Sequence, residues 1–284
     1  MAIIRRNIDW KLKGRTLRLG QRTFIIAPLA LSTESGGPKA NDPDRMFAKA
    51  IELDELGADV IDLGAEPTRP GDKRLSVEEE LGRLIPVLKR IKNKLNVPIC
   101  VSTYKAAVAE EVLKMGVEII NDPSGLTWEP ILAKTIMNHD AGLILNHMRG
   151  RPDSWVRLPP AKDVVDVIAK DLDAAVHRAL RAGIEKFRLV IDPGLGFGKR
   201  KEQNYQILGR LGILGGIGVP VMVGPTKKLL VPTANDRELE FAGAAGVTAA
   251  ILNGAYLVRV HDLEAIKPVI AVADAILNQW RTDN

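Results

Sequence analysis

Several short stretches of this chain join charged or amide side chains to glycine and proline, and together they describe a ligand. Asp192 opens the stretch Asp-Pro-Gly-Leu-Gly-Phe-Gly-Lys (192–199), Asn121 opens Asn-Asp-Pro-Ser-Gly, and Arg259 and His261 share Arg-Val-His-Asp. A carboxylate accepts two N–H groups at once and an amide offers a donor and an acceptor together, so Asp192 and Asn121 suit the edge of a flat heterocycle. Lys228, Arg259, His261 and the pair Thr68-Arg69 supply cations and a hydroxyl for an anionic leaving group, helped by backbone N–H groups at helix starts. A heterocycle joined to phosphate is the implied ligand. Taken singly, each group has a plainer reading. Asp192-Pro193-Gly194 makes a tight turn, Arg259 with Asp262 an ion pair, His147 a satisfied core histidine, and Lys227-Lys228 a solvated surface. Their shared placement, each just after an apolar run, is what sets them apart.

Those runs predict strands at Phe24–Leu29, Asp59–Leu63, Pro98–Val101, Glu118–Ile120, Gly142–Leu145, Arg188–Ile191, Val219–Val223 and Tyr256–Val260. Most are continuously apolar, as strands buried on both faces of a parallel sheet should be. Helix signals separate them. Asp42-Pro43 reads as N-cap and N1 of a helix over Met46–Leu56 closed by Gly57, and Ser76 with Glu79 forms a capping box. Asp163 caps an amphipathic stretch whose apolar face carries Val164, Val167, Ile168, Leu172, Ala175, Val176 and Leu180. Eight strand–helix units without a linker predict a single domain over residues 1–284, an α/β protein of the (β/α)8 TIM-barrel class. In such a barrel, chemistry sits at the C-terminal ends of the strands. Residues 5–23 read as a short N-terminal β-hairpin plugging the other end.

The composition suits this reading. The 284 residues are 46% hydrophobic, 26% charged and only 4% aromatic, which predicts a large aliphatic core. Forty Lys and Arg against thirty-five Asp and Glu give a net charge of +5, compatible with an anionic ligand. No basic run is interleaved with aromatic residues, so nucleic acid is not an expected partner, and no apolar stretch of membrane-spanning length appears. The single cysteine, Cys100, lies in an apolar run and reads as core, and a cytoplasmic location is expected.

With these motifs in place, the chain resembles the dihydropteroate synthase family over nearly its whole length. Glu66-Pro67-Thr68-Arg69-Pro70-Gly71 is similar to the family's Glu-Ser-Thr-Arg-Pro-Gly loop, Ile119-Ile120-Asn121-Asp122 to its Ile-Ile-Asn-Asp strand end, and 192–199 to its Asp-Pro-Gly-Phe-Gly-Phe-Gly-Lys. Arg259-Val260-His261-Asp262 matches outright. The resemblance implies a transferase of folate biosynthesis, in which the amine of para-aminobenzoate displaces pyrophosphate from 6-hydroxymethyl-dihydropterin diphosphate, with Mg2+. It implies Asn121, Asp192, Lys228 and Ser102 on the pterin, and Thr68, Arg259 and His261 on the diphosphate. Thr68, Arg69, Pro70 and Phe197 would form the para-aminobenzoate site, with Lys228, Arg259 and His261 as the catalytic set and a homodimer as the assembly.

Two departures from the family pattern carry weight. Ala30 stands where the family has an Asn near magnesium and diphosphate, and Ser102 where it has an Asp on the pterin. Replacing a full charge beside a developing cation with a hydroxyl is expected to cost about 2–3 kcal/mol, or ~30–150-fold in rate. Leu229 and Asn146 also replace a family Ser and Met. The sequence therefore admits a synthase with a modified site. It also admits a pterin-binding paralogue: one with another acceptor, a pterin-dependent methyltransferase working with a corrinoid protein, or a non-catalytic binder.

Overall fold

In a closed parallel barrel, each strand sends alternate side chains inward and outward, so one sequence must satisfy two different cores. The computed structural model describes residues 5–31, 42–68, 71–72 and 74–282. Two short strands, β1 (Ile8–Leu12) and β2 (Arg15–Leu19), pair antiparallel, with Gly14 at φ +89° in their turn. Eight parallel strands follow: β3 (Phe24–Ala30), β4 (Val60–Gly64), β5 (Ile99–Ser102), β6 (Ile119–Asp122), β7 (Gly142–Asn146), β8 (Leu189–Asp192), β9 (Met222–Val223) and β10 (Leu257–Arg259). Their order is β8-β7-β6-β5-β4-β3-β10-β9, and a parallel bridge between Ile191 and Val221 brings the two ends together. The result is a nearly closed TIM barrel with a hairpin, as expected.

The helices between the strands are α1 (Pro43–Glu55), α2 (Val77–Ile91), α3 (Ala106–Lys114), α4 (Leu132–Asn138), α5 (Val164–Arg181), α6 (Lys201–Gly209), α7 (Lys227–Leu230), α8 (Asp236–Leu252) and α9 (Leu263–Thr282). The expected caps form. Asp42 accepts from the N–H groups of Asp44 and Arg45, Ser76 and Glu79 complete their reciprocal box, and Asp163 accepts from Val165 and Asp166. The apolar face of α5 is rotated from the expectation. Val165 and Ala179 join it, while Val167 and Leu180 are each 37% exposed. At about 100° per residue, the buried positions span a stripe ~120° wide, and Val167 and Leu180 fall beyond opposite edges of it.

Strand residues sort into the two cores by parity. Ile61, Leu63, Val101, Ile120, Leu143, Leu145, Ile191 and Val258 face outward and pack beneath the helices. Phe24, Ile26, Val60, Cys100, Ile119, Ile144, Val190, Met222 and Leu257 fill the barrel interior together with Trp10, Leu12 and Leu19 of the hairpin. The hairpin thus closes the N-terminal end of the barrel. Trp10 is fully buried and donates from Nε1 to the carbonyl of Arg188 at 2.9 Å. β7 begins with Gly142 for the same reason: a Cβ there would lie 2.4 Å from Leu12 Cδ2. Arg5, also buried, ties the entry to the hairpin onto Thr23 and α9 through bonds of 2.7 Å to Thr23 and 2.6 Å to Asp274. No helix among the described residues is long and apolar enough to cross a membrane.

Trp10→Ala should remove the centre of this plug and cost about 3–5 kcal/mol in urea unfolding, in line with large-to-small changes in a core.

Candidate active site

Two positions beyond each apolar interior residue, the next inward side chain lies at the C-terminal end of its strand. Val60 is followed by Asp62, Cys100 by Ser102, Ile119 by Asn121, Ile144 by Asn146, Val190 by Asp192 and Leu257 by Arg259. These are the last one to three residues of the strands themselves, so rigid elements hold them. Asn121 and Asp122 divide accordingly. Asn121 points inward, while the buried carboxylate of Asp122 accepts from the N–H and Oγ of Ser124, both at 2.8 Å, and orders the loop.

A hydrogen-bonded chain runs across this layer. Asn121 Nδ2 donates to Ser102 Oγ at 3.0 Å, and Ser102 Oγ donates to the Asp62 carboxylate at 2.8 and 3.0 Å. Arg259 Nε donates to Asp62 Oδ2 at 3.0 Å, so Arg259 pairs with Asp62 in the barrel rather than with Asp262. Asp62 is 1% exposed, and reading the sequence alone missed it. Above the layer opens a cavity of about 1270 Å³, lined by Ser102, Asn121, Asn146 and Arg259 together with Thr68, Phe197 and His261. The Oδ1 atoms of Asn121 and Asn146 are buried there with no hydrogen-bond partner. Two lining amides, each with an unpaired buried acceptor, suit a ligand that presents N–H groups.

Asp192 is more withdrawn. It is 7% exposed, is not among the described lining residues, and accepts the Gly194 N–H at 2.7 Å. Burial pushes its carboxyl up to about 6, against the pull of that N–H and of Lys199 and Arg259. The loop after β8 wraps onto Lys199, whose Nζ donates to the carbonyls of His147 at 2.7 Å and Gly194 at 2.6 Å. Burial holds the Lys199 ammonium well below its ordinary range. Gly194, at φ +63°, is required by this approach, since a Cβ would come within 2.1 Å of the His147 carbonyl oxygen. His147 turns away from the cavity to Asp171 on α5, at 3.1 Å, and burial pushes it down to about 4, so it is neutral near pH 7.

The rim is built from residues with no shared sequence motif. Lys105 Nζ lies 2.5 Å from carboxylate oxygens of both Glu66 and Glu80, and Glu66 also accepts the Leu75 N–H at 3.0 Å, which braces the loop that carries Thr68. Glu80 is fully buried, and that burial raises its carboxyl despite Lys105. Tyr104 and Trp128 meet edge to face at 4.7 Å, with Arg74 and Arg151 about 5 Å above Trp128. On the opposite side, Trp155 packs edge to face on Phe197 at 5.7 Å.

The pattern of the family described as "Pterin binding enzyme" matches residues 32–261. A dihydropteroate synthase of Synechocystis sp. (strain ATCC 27184 / PCC 6803 / Kazusa) is 34% identical over 275 residues, covering 94% of each chain. The chain belongs to the pterin-binding enzymes, in the dihydropteroate synthase family. Solved structures agree. A Yersinia pestis dihydropteroate synthase in a sulfonamide drug complex superposes with a TM-score of 0.89 at 30% identity, over 96% of this chain and 100% of that one. A Xanthomonas albilineans dihydropteroate synthase in complex with 7,8-dihydropteroate gives 0.81 at 30% identity, over 94% and 98%.

Of the residues expected at the site, Ser102, Asn121 and Arg259 belong to one bonded network, and Thr68, Phe197 and His261 share its cavity. Arg69 and Pro70 lie outside the described residues, as does the side chain of Lys228, whose backbone forms the second residue of α7. Ala30 and Leu229 both line the cavity, and Ala30 presents only a methyl group. Among the described residues, no group of three or more His, Cys, Asp or Glu is placed to hold a metal ion.

Lys105→Met would leave Glu66 and Glu80 buried without their cation, at an expected cost of about 3–5 kcal/mol in urea unfolding. The loss should be larger at pH 8 than at pH 5. A carboxyl raised in the folded state keeps more protons than in the unfolded chain, so stability falls as pH rises through the interval between the two pKa values.

Proposed function

We propose that this chain is a dihydropteroate synthase-type transferase that joins 6-hydroxymethyl-dihydropterin diphosphate to para-aminobenzoate in the cytoplasm. The reading rests chiefly on the unpaired Oδ1 acceptors of Asn121 and Asn146, which share a cavity with Arg259. In this reading, Asn121 and Asp192 hold N–H groups of the pterin edge, with Lys228 and Ser102 beside them. Arg259 and His261, with Thr68, take the diphosphate. Para-aminobenzoate lies against Phe197 and the loop carrying Thr68, Arg69 and Pro70. The bond from the methylene carbon to the diphosphate oxygen breaks, and pyrophosphate departs with the electron pair. The amine nitrogen bonds to that carbon and sheds one proton to solvent. Positive charge on the pterin methylene is offset by fixed dipoles and carboxylates, while Arg259 offsets the charge on the leaving group. The retained network favours this over a non-catalytic binder.

The same reading carries a homodimer. Phe241 on α8 is 64% exposed, and Val272 and Ile276 on α9 are 61% and 41% exposed, leaving apolar area on neighbouring helices. Sedimentation at micromolar concentration should give a dimer that Phe241→Asp converts to monomer.

Purified protein given pterin diphosphate, magnesium and para-aminobenzoate should release pyrophosphate, and no release above background would refute the reading. Asp192→Asn should abolish binding of pterin and of pterin diphosphate alike, whereas Arg259→Ala should weaken chiefly the diphosphate. Because the free Asp192 carboxyl is raised to about 6, pterin affinity should fall up to tenfold per pH unit as pH drops below 6. Asp192→Asn, which cannot ionise at this position, reports the same carboxyl through stability. By the opposite sign, the variant should be more stable than wild type at pH 8, where the buried charge is costly, and not at pH 4.

A further inference from the structure

Ser102 leaves the pterin pocket without the carboxylate that the resemblance places there, yet a carboxylate sits one strand away. Asp62 on β4 is 1% exposed, and within the layer it meets Ser102 and Arg259, each by hydrogen bond. A carboxylate can only accept, so the single Ser102 hydroxyl proton must point to Asp62. The lone pairs of Ser102 Oγ are then left to accept from Asn121 Nδ2, at 3.0 Å. With one N–H of its NH2 held in this way, the Asn121 amide is fixed in orientation, and its Oδ1 is the acceptor that stands buried and unpartnered. The polarity of the whole chain is therefore set at one end. On its other side, Asp62 engages Nε of Arg259, fixing the plane of the guanidinium.

We infer that Asp62 is the positioning anion of this site: through Ser102 it fixes Asn121 as a hydrogen-bond acceptor toward the pterin, and directly it aims Arg259 at the diphosphate. The inference rests on the proposed pterin transferase reading and deepens it. Asp62 touches no substrate atom. Its negative charge, relayed through a polarised hydroxyl, stands in for the charge missing at position 102.

The two arms separate by ligand. Calorimetry would use 6-hydroxymethylpterin and its diphosphate with wild type, Asp62→Asn, Ser102→Ala and Ser102→Thr. Ser102→Ala cuts the relay and leaves the Asp62–Arg259 pair, so it should weaken both ligands by the same factor, ~5–10-fold, and leave the ratio of their affinities unchanged. Ser102→Thr, which keeps a hydroxyl, should restore binding. Asp62→Asn should weaken the pterin to a similar degree and also shrink the diphosphate-to-pterin ratio ~10-fold or more, because Arg259 loses its partner. In the double variant, the pterin losses should not add.

Pterin affinity within twofold of wild type in Ser102→Ala overturns the relay, as do additive losses or failure of Thr to rescue. An unchanged ratio in a folded Asp62→Asn overturns the Arg259 arm. If Asp62→Asn does not fold, the Ser102 pair still decides the relay. If wild type binds neither ligand, the transferase reading falls. The inference is then judged on the Arg259 Nε–H and Asn121 side-chain amide resonances. Ser102→Ala should move the amide alone, and an unmoved amide overturns it.

Discussion

The two-residue alternation of a strand in a closed barrel governs this molecule. Once the hairpin and the residues from Phe24 to Leu257 fix which side chains point inward as a dry layer, the next inward position on each strand is fixed as well. Asp62, Ser102, Asn121, Asn146, Asp192 and Arg259 converge because they share that parity, with no loop needed to bring them together. A slip of one residue in any of these strands would turn its polar group out among the helices and put an aliphatic side chain into the site.

The same layering accounts for the electrostatics. Polar groups resting on an apolar floor are poorly solvated, so their charge states follow their partners. Asp192, with one N–H bond and no cation bonded to it, is raised to about 6. Lys199, held by two carbonyls rather than a carboxylate, is lowered, and His147 behind it is neutral. Lys105, with two carboxylates on it, is raised instead. Burial is common to all of these groups; what differs is whether a strand or loop delivers a group of opposite charge.

How much of this was legible in the sequence follows from the same physics. The caps at Asp42, Ser76 and Asp163 were readable because they are local, and the eight strands because apolar runs report burial on both faces. Most strand ends lay one or two residues further on than expected, because Gly64, Ser102, Asp122, Asn146 and Asp192 have loop-like chemistry yet complete their strands. Asp62 was hidden among Ile61 and Leu63, which face the other core. Its clue was its spacing of two from Val60. The pairing of Arg259 with Asp62, the Lys105–Glu66–Glu80 cluster and the contact of Tyr104 with Trp128 join residues that are 197, 39, 25 and 24 positions apart or drawn from different loops. Such pairs exist only once the barrel closes.

The hairpin stopper has a consequence for traffic. With Trp10, Leu12 and Leu19 filling the barrel's N-terminal end, the described cavity lies at the strands' C-terminal end, and in the proposed transferase reading substrates and products use that side. Whichever molecule reaches the polar layer first is overlaid by the next, and the deeper one cannot leave until the outer one clears. For the proposed reaction this layering amounts to a queue, with the heterocycle entering before its partner and the joined product withdrawing from the outer end first.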